Sequence, residues 1–345
     1  MASPFQTLPD DVLQRLLAGV PLDDHQAAAA TCQAFRAVIR GPRFLALRQT
    51  YGFAERGVVV IEATGDGVLN IRMAQQNEAK TSIYGTRMDP RCSTTDGSRM
   101  FISTSRYQPI GAPNCILAVN AYSARWKRLV TLPRGQSEHC MEWHGGNIYV
   151  AGGVINIRGV PYNSQPQHDG LHAFNEATAL WDDLPPMPQA CALAASGVIG
   201  NRLFIAGGYN SVEDRAIKTL QIYDIGTRTW RLGAPLPDWV YMGHGVVVDE
   251  KLFVFDFGNI RSAFVYDPQS DTWTEEDLPP GPDGVSIVQH ACAHKGRIVI
   301  VLRNNNGTGR TALERVRDGL WSPFPYEADG RERPPRMVSE SVLLG

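Results

Sequence analysis

The sequence predicts a mainly β protein made of four-stranded repeats, with a small helical segment in front of them. Three observations predict this fold. An Asn or Asp is followed six residues later by Trp at four places, a Leu-Pro pair follows each Trp, and short apolar strands recur every 42 to 55 residues. The four pairs are Asn120 and Trp126, Asn175 and Trp181, Asp224 and Trp230, and Asp267 and Trp273. Self-similarity at this period is typical of propellers and solenoids.

The first elements are predicted to be short helices over residues 1–52. Leu8, Val12 and Leu16 form one row at intervals of four residues, and Leu13 and Leu17 belong to the neighbouring row. This periodicity is typical of an amphipathic helix. Three or four small helices bury only a marginal core. The segment is therefore expected either to cap the repeats or to bind a partner.

The clearest repeat predicts four antiparallel strands. Arg202–Ala206 is an apolar strand that ends in the pair Gly207–Gly208, and Leu220–Tyr223 is the second strand. Trp230 opens a third strand, and Gly245–Val248 is assigned as the fourth. A single blade of this size cannot bury both of its faces, whereas blades stacked around an axis can. The Trp is expected to lie between neighbouring blades.

Counting the first strands of the repeats gives about six blades over residues 55–345. These strands begin near Val58, Met100, Ile148, Leu203, Leu252 and Ile298. The sixth blade is expected to supply all four of its own strands and to end in Val338–Leu344. The sequence leaves open which strand closes the ring.

Composition and charge disfavour several classes of function. The chain has 345 residues, of which 43% are hydrophobic, and a formal net charge of −2, so no basic field recruits nucleic acid or an anionic membrane. It contains no apolar run long enough to span a bilayer and no pattern of a secretory signal. We therefore expect a cytoplasmic or nuclear protein whose six cysteines are reduced.

Two pairs of histidines have a spacing that is found among metal ligands. His168 and His172 are four residues apart, as are His290 and His294. On a helix such pairs could bind zinc, but i and i+4 lie about 13 Å apart along a strand. The sequence also has no HExxH, P-loop or GxSxG motif. We therefore expect no metal site.

The phased motifs resemble the kelch repeat. They combine Ala206-Gly207-Gly208 after an apolar strand, Tyr223-Asp224 with Trp230 six residues later, and Leu236-Pro237. The resemblance covers about five-sixths of the chain. It implies that residues 55–345 form a six-bladed kelch β-propeller.

The N-terminal residues resemble the F-box. The similarity rests on Leu8-Pro9-Asp10-Asp11-Val12-Leu13, Leu16-Leu17, Val20-Pro21, and Cys32 with Phe35-Arg36. The chain is therefore similar to the F-box–kelch proteins that are numerous in plants. Members of that family are substrate receptors of SCF-type ubiquitin ligases, in which the F-box docks on a Skp-family adaptor that bridges to cullin. Such receptors perform no chemistry themselves, so the resemblance implies a protein that is not an enzyme and has no catalytic residue and no cofactor. Thr31 and Phe35 stand where the family usually has Val and Trp, which bears on whether the F-box is functional.

The resemblance implies an adaptor-binding surface on the helical domain, residues 1–52. It comprises Leu8, Pro9, Val12, Leu13, Leu17, Pro21, Cys32, Phe35 and Val38. An exposed apolar stripe on a small helical domain is typical of a protein-binding surface. Leu16 and Ile39 are expected to belong to the core of the domain instead.

A second surface, for an unidentified protein substrate, is expected on the long loops of the propeller. These loops cover residues 104–113, 154–170, 209–218 and 303–310. Variable loops on a rigid scaffold concentrate function, and Arg, Tyr and Trp dominate interface hot spots. The candidates are Arg106, Tyr107, Arg158, Tyr162, His168, Asp169, Tyr209, Glu213, Arg215, Trp239, Tyr241 and Arg303.

Two alternative functions stay open. The first is a kelch scaffold with a vestigial F-box, which the residues Thr31 and Phe35 favour. The second is a kelch-fold protein that binds a small molecule or metal, or an enzyme. That function requires polar and titratable side chains that converge at the mouth of the propeller, and the sequence does not supply a recognisable set.

Overall fold

A computed structural model of the chain describes residues 9–20, 25–39, 43–50, 55–63, 69–73, 81–83, 88–104, 114–120, 125–155, 165–256, 262–280, 287–303, 310–316, 319–324 and 336–344. The chain divides into two compact units. One comprises Met1–Gly57 with Val342–Gly345, and the other is Val58–Ser341. None of the described helices has the length and apolar character needed to cross a lipid bilayer.

The N-terminal unit contains four short helices among its described residues. They are α1 Asp10–Ala18, α2 His25–Thr31, α3 Gln33–Ile39 and α4 Phe44–Thr50. Their apolar side chains share one core, made of Leu13, Leu17, Ala29, Ile39 and Phe44. Helices of this length gain most of their stability from such packing rather than from intrinsic propensity.

Arg48 of α4 is buried and closes the end of α1. Its Nη1 donates hydrogen bonds to the backbone oxygens of Ala18 and Val20, and lies 2.9 Å from Nε2 of His25. The last carbonyls of a helix have no partner within the helix, so a buried donor is needed to satisfy them. One side chain therefore ties α4 to the end of α1.

Five four-stranded antiparallel sheets, here called blades 1 to 5, follow one another between Met88 and Pro323 in the described part of the chain. Blade 1 is β4 Met88–Thr95, β5 Arg99–Thr104, β6 Cys115–Asn120 and β7 Arg125–Thr131. Blade 2 is β9 Cys140–His144, β10 Asn147–Ala151, β12 Leu171–Asn175 and β13 Leu180–Leu184. Blade 3 is β14 Ala195–Ile199, β15 Arg202–Ala206, β18 Leu220–Asp224 and β19 Thr229–Leu232.

Blade 4 is β20 Gly243–Val248, β21 Lys251–Asp256, β22 Ser262–Asp267 and β23 Thr272–Asp277. Blade 5 is β24 Ile287–His294, β25 Arg297–Arg303, β26 Arg310–Arg315 and β27 Trp321–Pro323. Two small sheets lie in the connections, one from β8 Gln136–Ser137 and β11 Val154–Ile155, the other from β16 Tyr209–Asn210 and β17 Arg215–Ala216. Mainly β structure in propeller blades is thus what the repeats predicted.

The blades are offset by one strand from the predicted repeat. Gly245–Val248 was predicted to be the fourth strand of the unit that starts at Arg202, but β20 pairs with β21 and opens blade 4. The reason is the turn between them. Asp249 and Glu250 both have positive φ, 51° and 59°, which suits the two-residue turn of a tight β-hairpin. Strands joined in this way must be neighbours in one sheet.

The six predicted copies correspond to five blades made from continuous segments and one sheet of different construction. That sheet contains β1 Glu55–Ala63, β2 Leu69–Met73, β3 Thr81–Ile83 and β28 Arg336–Leu344, in the order β28-β1-β2-β3. The last strand was expected to complete the sixth blade, and it lies beside β1 instead. Blades of the predicted kind thus number five in the described residues, one fewer than expected.

The predicted position of Trp between neighbouring blades is confirmed. Each of three indole Nε1 atoms donates to a backbone oxygen that precedes its own blade: Trp181 to Thr131 at 3.1 Å, Trp230 to Pro185 at 2.8 Å, and Trp273 to Ala234 at 2.8 Å. Each ring also packs on the aromatic residue seven positions earlier. The ring centroids of Tyr223 and Trp230 are 5.0 Å apart. The repeated Trp therefore links blades through both apolar packing and a hydrogen bond.

The repeated Asp or Asn closes the turn before the Trp strand. Asp224 Oδ1 accepts a hydrogen bond from the backbone N of Thr227, and Asp267 Oδ1 accepts one from Gln269. A short acidic or amide side chain can cap such a turn without bending the strands. The hydrogen bond lowers the pKa of Asp224, and the same cause lowers that of Asp267.

The glycine pair at the end of the second strand brings two connections together. Gly207 and Gly208 have φ of 66° and 93°, where side chains are strained. The backbone N of Gly208 donates to Val240 O at 2.8 Å, and a Cβ on Gly208 would lie 2.5 Å from Ala192 O. The pair therefore allows the connections on either side of blade 3 to meet at one end of the sheet.

Candidate functional site

Connections from several blades meet on one end of the propeller, which is called the loop face here. Its described residues are 134–139, 165–170, 185–194, 209–219 and 233–242. The meeting is direct, since isolated β-bridges join Ala192 to Tyr209 and Ile217 to Val240. Because strands alternate in direction, the connection after the second strand and the one after the fourth strand leave from the same end of a blade. The loop face is therefore continuous across blades 2, 3 and 4.

The hairpin 209–216, made of β16, β17 and their turn, is held by two glutamines from neighbouring connections. Gln167 Nε2 donates to Tyr209 O at 2.8 Å, while its Oε1 accepts from Ser211 N at 2.7 Å. Gln189 Nε2 donates to the carboxylate of Glu213 at 2.6 Å. Two neighbouring connections thus fix one hairpin, which makes it a preorganised element rather than a loose loop.

Exposed aromatic rings lie beside this hairpin. Trp239 is 45% exposed and Tyr241 is 44% exposed, and the Tyr209 and Tyr241 ring centroids are 5.4 Å apart. Arg215 and Lys218 each place their cation 5.1 Å from the centre of the Trp239 ring. We call these five residues the aromatic patch. Large aromatic rings bury much apolar area when a partner covers them, and adjacent cations are attracted to their faces. Trp, Tyr and Arg are enriched at interface hot spots for these reasons.

Acidic side chains fix the cations of the aromatic patch in position. Arg215 Nη2 lies 2.6 Å from Glu213 Oε2, and Lys218 Nζ lies 3.5 Å from Asp238 Oδ1. The Tyr209 hydroxyl donates to Asp214, and this bond raises the pKa of Tyr209. Exposed ion pairs add little to the free energy of folding. Their effect here is to orient side chains before any partner binds.

His168 and His172 lie below the loop face rather than on it. Both are buried, with 6% and 4% exposure, and their Nε2 atoms are 3.2 Å apart. His168 Nδ1 accepts a hydrogen bond from Gly170 N, so the proton of the neutral ring is on Nε2. A metal ion would need that nitrogen free. The described residues contain no group of three or more His, Cys, Asp or Glu that could hold a metal ion.

The helical unit presents a different apolar row from the one predicted. Leu13 and Leu17, predicted to contact an adaptor, are buried at 6% and 3% exposure, whereas Leu16, predicted to be in the core, is 55% exposed. Val12 is 38% exposed on the same outward row. The two i, i+4 rows lie on different faces of α1, and the row of Leu13 and Leu17 packs into the core of the helical unit. The burial predicted for Ile39 is confirmed.

The other described members of the predicted adaptor surface are accessible in part. Pro9 is exposed, and Cys32, Phe35 and Val38 are half-buried. Phe35 and Val38 pack against the helical core, and Cys32 Sγ accepts the backbone N–H of Phe35 near the start of α3. Leu8 and Pro21 lie outside the described residues.

Residues 190–237 match the family described as Kelch motif. This segment runs through blade 3 and contains the glycine pair, the Asp turn and Trp230. The propeller therefore carries a kelch repeat. Among curated proteins it is 23% identical over 291 residues to an F-box/kelch-repeat protein of Arabidopsis thaliana, covering 79% of this chain and 72% of the relative. A second Arabidopsis thaliana protein, provisionally named F-box/kelch-repeat protein, is 21% identical and covers 91% of this chain and 77% of the relative.

Animal proteins also resemble this kelch-repeat protein. Kelch-like protein 34 of Homo sapiens is 23% identical over 236 residues, which cover 61% of this chain and 35% of the relative. Kelch-like protein 36 of Bos taurus is 24% identical over 209 residues, which cover 59% of this chain and 32% of the relative. The chain thus spans about a third of the length of these two relatives.

The kelch propeller brings five of the twelve predicted substrate-face residues together. These are Tyr209, Glu213, Arg215, Trp239 and Tyr241, at or beside the aromatic patch. Asp169 is exposed in the neighbouring connection, whereas His168 is buried beneath it. Arg106, Tyr107, Arg158 and Tyr162 lie outside the described residues, as does the side chain of Arg303.

Sequence reasoning missed three residues that build the loop face of the kelch propeller. Lys218 belongs to the same long loop as Arg215, and its position next to the predicted hairpin was a usable signal. Gln167 and Gln189 act through contacts with residues 42 and 24 positions away. Nothing in the local sequence marks a glutamine for such a long-range contact.

Proposed function

We propose that this kelch-repeat protein is a substrate receptor of an SCF-type ubiquitin ligase. In this proposal the helical unit binds a Skp-family adaptor, through it a cullin, and the loop face of the propeller holds a target protein. The observation that carries the proposal is the outward apolar row of Val12 and Leu16 on α1. The names of the two plant relatives, both F-box/kelch-repeat proteins, support the same function.

The exposed row on α1 has the properties of a docking surface. Pro9, Val12 and Leu16 are exposed along successive turns, and the half-buried Cys32 and Phe35 belong to the same small unit. An apolar row that the unit leaves in water, although it has a core of its own, is stabilised when a partner's groove covers it. Thr31 and Phe35 are accommodated locally, since Thr31 Oγ1 donates to Ala28 O and Phe35 packs on the core.

The loop face supplies the second half of the proposal. The aromatic patch exposes Trp239 and Tyr241 beside a hairpin that two neighbouring connections hold in place. Binding to such a surface costs little conformational entropy, because the side chains are already oriented. The receptor itself performs no chemistry. It raises the local concentration of target lysines near the conjugating enzyme of the ligase, in the cytoplasm or nucleus.

The decisive experiment is co-purification with a Skp-family adaptor. The double variant Val12→Asp with Leu16→Asp places charges on the exposed row, and we expect it to lose the adaptor while its circular dichroism stays like the wild type. The matched variant Leu13→Asp with Leu17→Asp places the same charges in the core, and we expect it to lose helical signal as well.

The two double variants separate docking from folding. Stoichiometric binding by the Val12 and Leu16 variant would show that the adaptor does not use this row. Absence of binding by the folded wild type would leave a kelch scaffold that binds its target without an adaptor. The metal-binding alternative has no three-ligand group to support it within the described residues.

A further inference from the structure

A buried hydrogen-bond chain lies beneath the loop face and takes no part in the proposed docking. Gly170 N donates to His168 Nδ1 at 2.7 Å, the two Nε2 atoms of His168 and His172 are 3.2 Å apart, and His172 Nδ1 lies 2.6 Å from Asp183 Oδ1. Both rings are buried, whereas the Asp183 side chain is 83% exposed. The chain therefore runs from a loop backbone to the solvent.

This chain has one proton arrangement that satisfies every contact. Because Gly170 N–H is a donor, His168 Nδ1 must accept and His168 carries its proton on Nε2. That proton is donated to His172 Nε2, so His172 carries its own proton on Nδ1 and donates it to Asp183. Two neutral imidazoles with defined tautomers thus fill the chain.

We propose that the chain Gly170–His168–His172–Asp183 is an acid-sensitive latch, which holds the hairpin 209–216 of the loop face in place and releases it when a third proton enters. A proton on His168 Nδ1 would face the N–H of Gly170. A proton on His172 Nε2 would face the N–H of His168. Either position opposes two donors in a buried site, where an unsatisfied polar group is costly.

The ring of His168 cannot turn away while the loop keeps its form. A Cβ on Gly170 would lie 2.0 Å from His168 Cε1, so the ring packs directly on the backbone of the turn. The backbone N of His168 also donates to Gly153 O at 2.9 Å, and Met187 N donates to Asp169 O at 2.7 Å. Loss of one contact in the chain therefore moves the loop as a unit.

Gln167 connects this loop to the hairpin. It precedes His168 in the sequence and makes two hydrogen bonds: its side chain donates to Tyr209 O and accepts from Ser211 N. When residues 167–170 shift, both bonds are lost together. The hairpin then keeps the contacts on its other sides, among them the hydrogen bond from Gln189 to Glu213 and the backbone pair of Ala192 and Tyr209. The latch thus acts on the element that carries Arg215 and Tyr209.

The charged groups around His168 favour its neutral form. Burial lowers the pKa of His168, and Arg134 from the preceding connection and His172 from β12 lower it further, while Asp169 next to it acts in the opposite direction. A histidine with a lowered pKa binds fewer protons in the closed loop than in the open one. The closed loop is therefore fully stable above the ordinary pKa of 6.5 and loses stability as the pH falls below it.

Hydrogen exchange followed by mass spectrometry tests the latch without any binding partner. Segments 165–172 and 209–216 are compared between about pH 7.5 and about pH 5.5, on either side of the ordinary histidine value, after correction for intrinsic exchange. In the wild type we expect both segments to lose protection together, by up to about tenfold per pH unit, because opening takes up one proton. Strands β14 and β15 of blade 3 serve as the internal reference.

Two variants distinguish the latch from general acid effects. His168→Asn keeps an acceptor for Gly170 N but does not titrate, so it should retain protection at the lower pH, whereas the matched control His144→Asn should open like the wild type.

Several results would overturn the proposal. They are opening of the two segments at different pH values, and opening in His168→Asn that equals the wild type. These readouts are independent of the ligase hypothesis, since none of them involves an adaptor or a target. The latch proposal can therefore be wrong while the proposed function is right, and the proposed function can be wrong while the latch proposal is right.

Discussion

The guanidinium of Arg215 lies 5.1 Å from the centre of the Trp239 ring, so the hairpin of blade 3 is joined to the connection that leads into blade 4. Glu213, in the turn of the hairpin, forms an ion pair with the same guanidinium, and Arg215 Nη2 lies 2.6 Å from its carboxylate. A cation over a partly exposed indole is stabilising by about 0.5–1 kcal/mol. The contact orients Trp239 while much of the ring remains open to a partner.

The first prediction concerns this ring. Trp239→Ala should weaken binding to the loop face at least about tenfold, because buried aromatic anchors dominate interface energies. Trp126→Ala is a matched control, since Trp126 on β7 is 44% exposed and Trp239 is 45% exposed. Selection of a displayed random-peptide library by the wild type supplies the ligands, and their affinities for both variants are then measured. Equal loss in both variants would remove Trp239 from the binding surface.

The sequence predicted most of the fold because each repeat contains short motifs that can be recognised from neighbouring residues alone. The Asp or Asn turn, the Trp and the glycine pair each act on their own neighbourhood, so their spacing is visible in the chain. The predicted strand phase was wrong by one strand because local patterns mark strands and turns but do not show which turn joins two strands of the same sheet, as Asp249–Glu250 joins β20 to β21. No local signal placed β28 beside β1, since that pairing joins opposite ends of the chain.

The candidate sites were less accessible to sequence reasoning. The sequence shows both i, i+4 rows of α1, but which row faces the core depends on where α3 and α4 pack, so the predicted burial of Leu16 was wrong and Leu13 is buried instead. In the same way, Gln167 looks like a solvated loop residue until Tyr209 is known to lie against it. Contacts between distant segments decide both cases.

The second prediction tests the Trp that links blades 2 and 3. Trp230→Ala removes a ring that packs on Tyr223 and an Nε1–H that donates to Pro185 O, so it should cost about 3 kcal/mol of unfolding free energy, the lower end for a large aromatic because the ring is only partly buried. Trp230→Phe keeps a ring and should cost less, mainly the lost hydrogen bond. Urea unfolding of both variants measures the difference, and an unchanged midpoint in Trp230→Ala would contradict the linking role.

The third prediction separates backbone strain from steric contact in the glycine pair. Gly208 and Gly200 both have positive φ, but a Cβ on Gly208 would lie 2.5 Å from Ala192 O, whereas one on Gly200 has no atom within 4 Å. Gly200→Ala should therefore cost only the left-handed backbone penalty of about 1 kcal/mol. Gly208→Ala should cost clearly more, because the connection at Ala192 must also move. Equal melting temperatures of the two variants would show that the close approach is unimportant.

The last prediction concerns Arg48, which is 1% exposed in the helical unit and donates to the carbonyl oxygens of Ala18 and Val20. Arg48→Met keeps much of the volume and removes the donor to Ala18 O at the end of α1, while Val20 O still has His25 Nε2 at 2.9 Å. Hydrogen bonds from a charged donor contribute about 1.5–3 kcal/mol, a large share of the stability of so small a unit.

Far-UV circular dichroism should therefore show loss of helical signal in Arg48→Met at a temperature where Arg15→Met, a change at an exposed position of α1, keeps it. We expect the propeller to melt as in the wild type in both variants, because Arg48 contacts Ala18, Val20 and His25 of the helical unit. If Arg48→Met retained its helices and still bound the adaptor like the wild type, the closure of α1 by Arg48 would be dispensable. The exposed row of Val12 and Leu16 would then be held by the apolar core alone.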